Sequence, residues 1–141
     1  MFGLGASLLS GFYLETVSIP LLLIGGFIGS VIPDLDLRYR HRVLFHNILF
    51  LTILVMIFMT LPLYTPLSFY LSKIFSQGFI VGFSSHLLGD VITYRGVALL
   101  YPFKRKMYKI PVGTSESLKI NLLGYTLGVI MILLSIYLRL S

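Results

Sequence analysis

Residues 33–46, PDLDLRYRHRVLFH, are a polar segment in a chain that is otherwise strongly apolar. The segment contains two of the three histidines, two of the five acidic residues and three of the eleven basic residues. Apolar runs of helical length lie on both sides of it, so it separates hydrophobic helices. Charged groups beside a membrane helix are costly unless they pair with one another or serve a function. The segment therefore marks a helix boundary and a candidate functional site.

The composition predicts an integral membrane protein. The 141 residues are 57% hydrophobic and only 11% charged, with a mean hydropathy of +0.95, whereas a soluble domain carries about 25% charged residues. This much charge cannot cover a surface that faces water. The absence of cysteine excludes disulfide bonds and thiolate metal ligands. The length suits one domain, and we expect a single all-α, polytopic membrane bundle over residues 1–141.

Apolar runs and their polar breaks predict four to five helices. We expect short helices over residues 2–14 and 20–32, membrane spans over about 43–61, 67–89 and 120–138, and a long interfacial loop over 91–118. The first two runs have about 13 residues each, fewer than the roughly 20 that a bilayer core requires. They form either a packed hairpin or two thin spans, and glycines in the second run would allow close packing. Pro33 should end the second helix.

Two polar segments are predicted to meet at one face of the membrane. The span over 43–61 leaves that face, and the span over 67–89 returns to it. His86 and Asp90, at the end of the returning span, are four residues apart and so share one side of a helix. All three histidines and four of the five acidic residues can therefore gather at this face.

The side chains at this face are of the types that bind divalent metals. Taken one by one, each has an ordinary structural explanation as a polar helix end or an interfacial turn. Together, three imidazoles and three carboxylates in converging segments favour a site for one or two divalent metal ions. Mixed nitrogen and oxygen ligands suit zinc or manganese better than magnesium. The predicted ligands are Asp34, Asp36, His41, His46, His86 and Asp90.

The basic residues predict the orientation and the partners of the chain. Ten of the eleven lie between Arg38 and Lys119, and basic loops beside membrane spans usually face the cytoplasm. Such loops also suit membrane lipids and substrates with anionic or phosphate-bearing groups. The chain has no pattern typical of nucleic-acid binding, so a nucleic-acid partner is not expected.

Three further residues are candidates for direct roles in catalysis. Arg42 and Arg95 could clamp a phosphate through charge-assisted hydrogen bonds. Glu116 could be a metal ligand or a general base. The alternatives are that the arginines belong to a cytoplasmic basic belt and that Glu116 stabilises the start of the last helix.

These motifs resemble those of the YdjM-like family of LexA-binding, inner-membrane-associated predicted hydrolases. The similar segments are Pro33–Asp36, His41–Asn47, His86–Asp90, Gly96 and Leu99–Phe103. The resemblance extends over about residues 25–118, with Val43, Phe45 and Asn47 in place of the commoner Gly, Thr and Ser. It implies a membrane-bound, metal-dependent hydrolase of the cell (inner) membrane, and it does not specify a substrate.

Two functional hypotheses follow. The first is an enzyme that hydrolyses a phosphoester, including that of a lipid, at the cytoplasmic membrane interface. The second is a non-catalytic scaffold or partner-binding protein that contains a structural metal site. A transporter is disfavoured because the polar residues gather at one face instead of lining a path across the membrane.

Overall fold

The computed structural model describes residues 1–36, 45–114 and 117–141, and of Asp36 it describes the backbone only. The predicted site residues His41, Arg42 and Glu116 lie outside these ranges. Within them, the chain forms five α-helices and, apart from two isolated bridges, no β-structure. The helices are α1 (Phe2–Ser10), α2 (Ile19–Val31), α3 (Ile48–Thr60), α4 (Phe69–Val91) and α5 (Leu118–Leu140). The prediction of an all-α fold is confirmed.

Among the described residues, two helical stretches are long and apolar enough to cross a membrane. They are Thr16–Leu35, which contains α2 and the 3-10 turns on either side of it, and Leu118–Leu140, which is α5. Only 11% of the most apolar part of α5 is buried inside the molecule, so most of its leucine and isoleucine side chains point outward. Such an exterior suits a lipid environment better than water.

α1 ends four residues earlier than predicted. The chain turns at Gly11, and the Leu14 amide donates a hydrogen bond back to the Gly11 carbonyl at 3.0 Å. From the end of α5, the Arg139 guanidinium donates to the carbonyl oxygens of Gly11 at 2.6 Å and Leu14 at 3.1 Å. These bonds satisfy carbonyl groups at the end of α1 that have no partner within the helix.

The helices that flank the polar segment also differ from the prediction. α2 ends at Val31 and continues as a 3-10 turn over Ile32–Asp36, so Pro33 lies inside this turn, where it is fully buried. α3 begins at Ile48 instead of residue 43, because the Asn47 side chain caps it by accepting a hydrogen bond from the Phe50 amide at 2.8 Å. With 13 residues, α3 is about 20 Å long and falls short of the predicted full span.

Glycines bring the backbones of α2 and α4 into direct contact. Gly25 and Gly29 of α2 face the backbone of α4, and Gly78 and Gly82 of α4 face that of α2. At each position an added Cβ would lie against a carbonyl oxygen of the other helix, closer than real atoms approach. Small residues allow this kind of packing between membrane helices. α1 also packs on α2, at Gly26, but the more extensive contact of α2 is with α4.

Aromatic side chains hold α3 against α4. The Phe58 ring of α3 meets the Phe75 and Phe79 rings edge-on, with centroids 4.9 and 5.2 Å away. Phe79 continues into a buried cluster with Phe83, Leu87 and Val97. This core lies directly beneath the end of α4 that carries His86 and Asp90.

The segment between α4 and α5 is folded against the end of α4. Val97 and Tyr108 exchange two backbone hydrogen bonds of 2.9 Å, and the Ile110 amide donates to the Val91 carbonyl at 2.6 Å. Gly96 permits the turn of the chain between the end of α4 and Val97, with a φ of +68° that residues other than glycine rarely adopt. The loop predicted over 91–118 therefore has, in its described part, a defined conformation.

We expect the substitution Gly82→Ala to destabilise the bundle by about 1–3 kcal/mol, because its methyl group would force the backbones of α2 and α4 apart. The matched control is Gly124→Ala on α5, where no described atom lies within 4 Å of an added Cβ. The control should keep or raise stability, since alanine favours a helix more than glycine does. Thermal unfolding in detergent measures both variants. Equal melting temperatures would contradict the role assigned to the glycine contact.

Candidate metal centre

Four of the predicted ligands meet at one end of the bundle. The Nε2 atom of His46 lies 3.2 Å from the Oδ2 atom of Asp90. The Nε2 atom of His86 lies 3.5 Å from that same oxygen and 3.5 Å from the Oδ1 atom of Asp34. The two imidazole rings are 5.4 Å apart between centroids. Two nitrogen atoms and two carboxylate oxygens therefore surround one small space.

α4 contributes the pair predicted from its spacing. His86 and Asp90 lie one turn apart in the last two turns of the helix, on the same side. Thr93 closes this end, since both its amide and its hydroxyl donate to the Asp90 carbonyl, at 3.1 and 2.8 Å. The backbone of Ser30 on α2 also lies close to the His86 ring, and both residues line the same cavity. Such second contacts fix the orientation of metal-binding side chains.

The other two side chains come from the segments beside the polar stretch. The 3-10 turn after α2 carries Asp34, and the close packing of α2 on α4 places that turn beside His86. The predicted span over 43–61 would place His46 in the first turn of a helix, but His46 lies in a bend two residues before α3, directly ahead of the Asn47 cap. The Ile48 amide donates to the Leu99 carbonyl at 3.0 Å, which holds this segment against the loop after α4.

The four side chains range from fully buried to half exposed. The side chain of His46 has no exposed surface, Asp90 and His86 are 12% and 18% exposed, and Asp34 is 53% exposed. Among the described residues, the site is thus buried in the hydrophobic core at His46 and most exposed at Asp34.

The distances fit a metal ion at the centre of the group. Metal–ligand distances of about 2.0–2.2 Å place neighbouring ligand atoms of a tetrahedral zinc site about 3.3–3.6 Å apart. The three measured separations of 3.2–3.5 Å lie close to this range, and they exceed the roughly 2.7–2.9 Å of a charge-assisted hydrogen bond. Donor atoms of Asp34, His46 and His86 all lie within 4.8 Å of one another. These residues fit a divalent ion of the kind predicted.

The Nε2 atom of His86 supports the same conclusion. This nitrogen is buried, and within the described part of the chain it makes no hydrogen bond of good geometry. Two carboxylate oxygens lie at 3.5 Å from it instead. A buried polar atom without a hydrogen bond is costly, and coordination of a cation would remove that cost.

Among the remaining predicted residues, only Arg95 has a described side chain, and it lies outside this group. The structure does not describe the side chain of Asp36 or the residues His41, Arg42 and Glu116. The roles predicted for these four residues therefore stay predictions. Arg95 is exposed on the loop after α4. Binding of a metal by the four converging residues, and the preference for zinc or manganese, also stay predictions.

Sequence reasoning missed a cleft that reaches the site. A cavity of about 460 Å³ is lined by His86 and Asp90 at one end and by residues of α1, α2 and α5 elsewhere. α5 contributes Asn121 and Tyr125, two polar residues four positions apart. That spacing on a helix otherwise rich in leucine and isoleucine was the available signal, because it places both side chains on one side of the helix.

The sequence of the whole chain identifies its family. Residues 2–140 match the family described as YdjM inner membrane protein. The chain belongs to this family. No curated protein and no solved structure matches it. The family description and the two apolar helices agree on a protein of the membrane, as the composition predicted.

We expect the YdjM-family chain to bind zinc or manganese through these side chains. Purified in detergent and dialysed against zinc, it should retain roughly one ion per chain and unfold at a higher temperature than after treatment with a chelator. His86→Ala should lose the ion and the chelator effect together, because it removes the nitrogen that contacts both carboxylates. Elemental analysis and thermal unfolding measure the two effects.

The matched control for charge and composition is Glu15→Gln. Glu15 precedes α2 at the opposite end of the bundle and is exposed. This variant should keep the full metal content. Equal metal content in His86→Ala and the parent chain would rule out the site.

Proposed function

We propose that this chain is a membrane-bound, metal-dependent hydrolase that cleaves a phosphoester at the membrane interface. The observation that carries the proposal is that two of the converging ligands, His86 and Asp90, line the wall of the cleft. A structural zinc site is closed by its protein ligands, whereas a catalytic site keeps one position open to water or substrate. A ligand set at the end of a cleft favours the catalytic case.

The burial of the four side chains indicates which would bind the metal ion and which would transfer a proton. His46, His86 and Asp90 would hold the ion, which would leave the fourth position of a tetrahedral site open to water. Asp34 is the most exposed of the four, so its carboxylate is the one best placed to accept a proton from an attacking water. A bound divalent ion would supply a lowered pKa for that water and charge stabilisation on a phosphoryl oxygen.

The proposed reaction is the hydrolysis of a phosphoester by one water molecule. Water forms a bond to phosphorus, the ester P–O bond breaks, and the alcohol leaves with the second proton of the water. The phosphate product keeps the new hydroxyl group. Asp34 would carry the proton between water and leaving group, as general acid–base residues do.

The basic residues support a phosphate-bearing substrate and a cytoplasmic site. Five of them, Arg95, Lys104, Arg105, Lys106 and Lys109, lie in the described loop after α4, which contains no acidic residue between 92 and 114. At the opposite end of the bundle stand Lys73, near the start of α4, and Arg139, near the end of α5. This asymmetry supports a cytoplasmic orientation of the site. Membrane lipids with anionic headgroups are the expected partners.

We expect Asp90→Asn to lower kcat for phosphoester hydrolysis by at least about 100-fold, because it removes the carboxylate that lies between the two histidines. The substrates are bis(p-nitrophenyl) phosphate and p-nitrophenyl phosphate, followed by phosphatidic acid in vesicles, each with zinc or manganese. Unchanged thermal unfolding of the metal-free variant separates lost chemistry from lost folding. Glu15→Gln serves again as the control with full activity.

The opposite outcome identifies the alternative function. The candidate centre ties together the end of α2, the approach to α3 and the end of α4, so an ion there could also act as a structural clamp. A parent chain that binds metal, loses stability on Asp90→Asn and hydrolyses none of these phosphoesters would be a scaffold protein. That result would overturn the proposal of an enzyme.

A further inference from the structure

The cleft at the metal centre continues into an apolar groove. The groove has a volume of about 750 Å³ and is lined by leucine, isoleucine and phenylalanine side chains of α1, α2 and α5. Leu4 and Phe27 line both the cleft and the groove, so the two spaces adjoin. The cleft has polar lining residues, among them His86, Asp90 and Asn121, whereas the groove is lined by apolar side chains alone. That distribution matches a molecule with one polar end and one long hydrocarbon chain.

The length of this space matches one leaflet of a membrane. On α5, the cleft begins at Ile120 and the groove extends to Ile132, a rise of about 18 Å along a helix. Half of a hydrocarbon core of about 30 Å is about 15 Å. Two residues that line the cleft, Phe27 and Tyr125, are 56% and 55% exposed, so this part of the cleft is open to the side of the bundle where lipid would lie.

Two glycines keep the cleft free of side chains. Most helical glycines of this chain pack against another backbone or side chain, but among the described residues nothing lies within 4 Å of a Cβ added at Gly89 or Gly124. Both of these glycines line the cleft. Glycine inside a helix lowers stability relative to alanine, and at these two positions no close helix packing explains the choice of glycine. A glycine there does leave space for a bound molecule in the cleft.

We propose that the cleft and groove hold the hydrocarbon chain of a membrane lipid whose phosphate group lies at the metal centre. The lipid would enter sideways from the leaflet that adjoins the site, between α2 and α5. Its chain would lie along Leu4, Phe27 and Ile132, and its phosphate would reach His86 and Asp90. This inference rests on the proposed function for the identity of the reaction, and it adds that the substrate is a long-chain lipid phosphate.

The first experiment detects binding without any reaction. The full chain is placed in nanodiscs that contain phosphatidic acid with a diazirine at the end of one acyl chain. After illumination, mass spectrometry should find cross-links on peptides of α1, α2 and α5 that line the groove. Gly124→Leu should lower these cross-links at least fivefold, because its side chain fills the cleft.

The matched control is Thr126→Leu. Thr126 is exposed on α5, lines neither the cleft nor the groove, and bonds only to its own helix through the Leu122 carbonyl at 2.8 Å. It should keep the cross-links of the parent chain. Ile132→Trp, which fills the far end of the groove, is a second test should Gly124→Leu fail to fold. Cross-links that survive in a folded blocking variant would overturn the proposal.

The second experiment measures the dependence of hydrolysis on chain length. Release of p-nitrophenol is followed from p-nitrophenyl dodecyl phosphate and from p-nitrophenyl ethyl phosphate. The parent chain should prefer the dodecyl ester in kcat/KM by at least tenfold, and Gly124→Leu should reduce that ratio to near one. Thr126→Leu should keep the ratio of the parent.

The two experiments separate the failure of each proposal. Groove cross-links without hydrolysis of any ester would keep the lipid site and overturn the hydrolase. Hydrolysis of both esters at equal rates, without groove cross-links, would keep the hydrolase and overturn the lipid site. 

Discussion

The direct contact between the backbones of α2 and α4 is the constraint on which the candidate site depends. Helices with larger side chains between them pack with their axes about 8–10 Å apart, and the glycines of this pair have no side chain to hold them at that distance. Because α2 lies so close, the 3-10 turn that follows it carries Asp34 to within 3.5 Å of His86. The same contact sets the position of Ser30 beside the His86 ring.

The site places polar groups at the end of an apolar bundle, where their burial must be compensated. The side chain of His46 is completely buried. Its burial is compensated by the carboxylate of Asp90, a residue near the end of α4 whose backbone carbonyl accepts hydrogen bonds from Thr93. Burial of imidazole and carboxylate groups is tolerated when they pair or coordinate a metal. The folded loop after α4 completes this arrangement through Leu99 and Ile110.

The glycines of the chain serve two different purposes, and only the surroundings distinguish them. Those between α2 and α4, and between α1 and α5 at Gly5 and Gly128, allow backbones to touch. Gly89 and Gly124 touch nothing described and border the cleft. One residue type therefore builds both the tightest part of the bundle and its main opening. Substitution of a glycine between helix backbones should lower stability, whereas substitution of Gly89 or Gly124 should alter ligand binding.

Much of this could be predicted from the sequence. Composition determined a membrane environment and a helical fold, because an apolar chain must satisfy its backbone hydrogen bonds within helices. The four-residue spacing of His86 and Asp90 determined that they share one side of α4, since that relation is local to a helix. What only the tertiary structure decided was which distant segments meet them: Asp34 through glycine packing, and His46 through the cap of α3 and the loop. It also decided that a cleft opens beside them, because empty space between helices depends on how every neighbouring side chain packs.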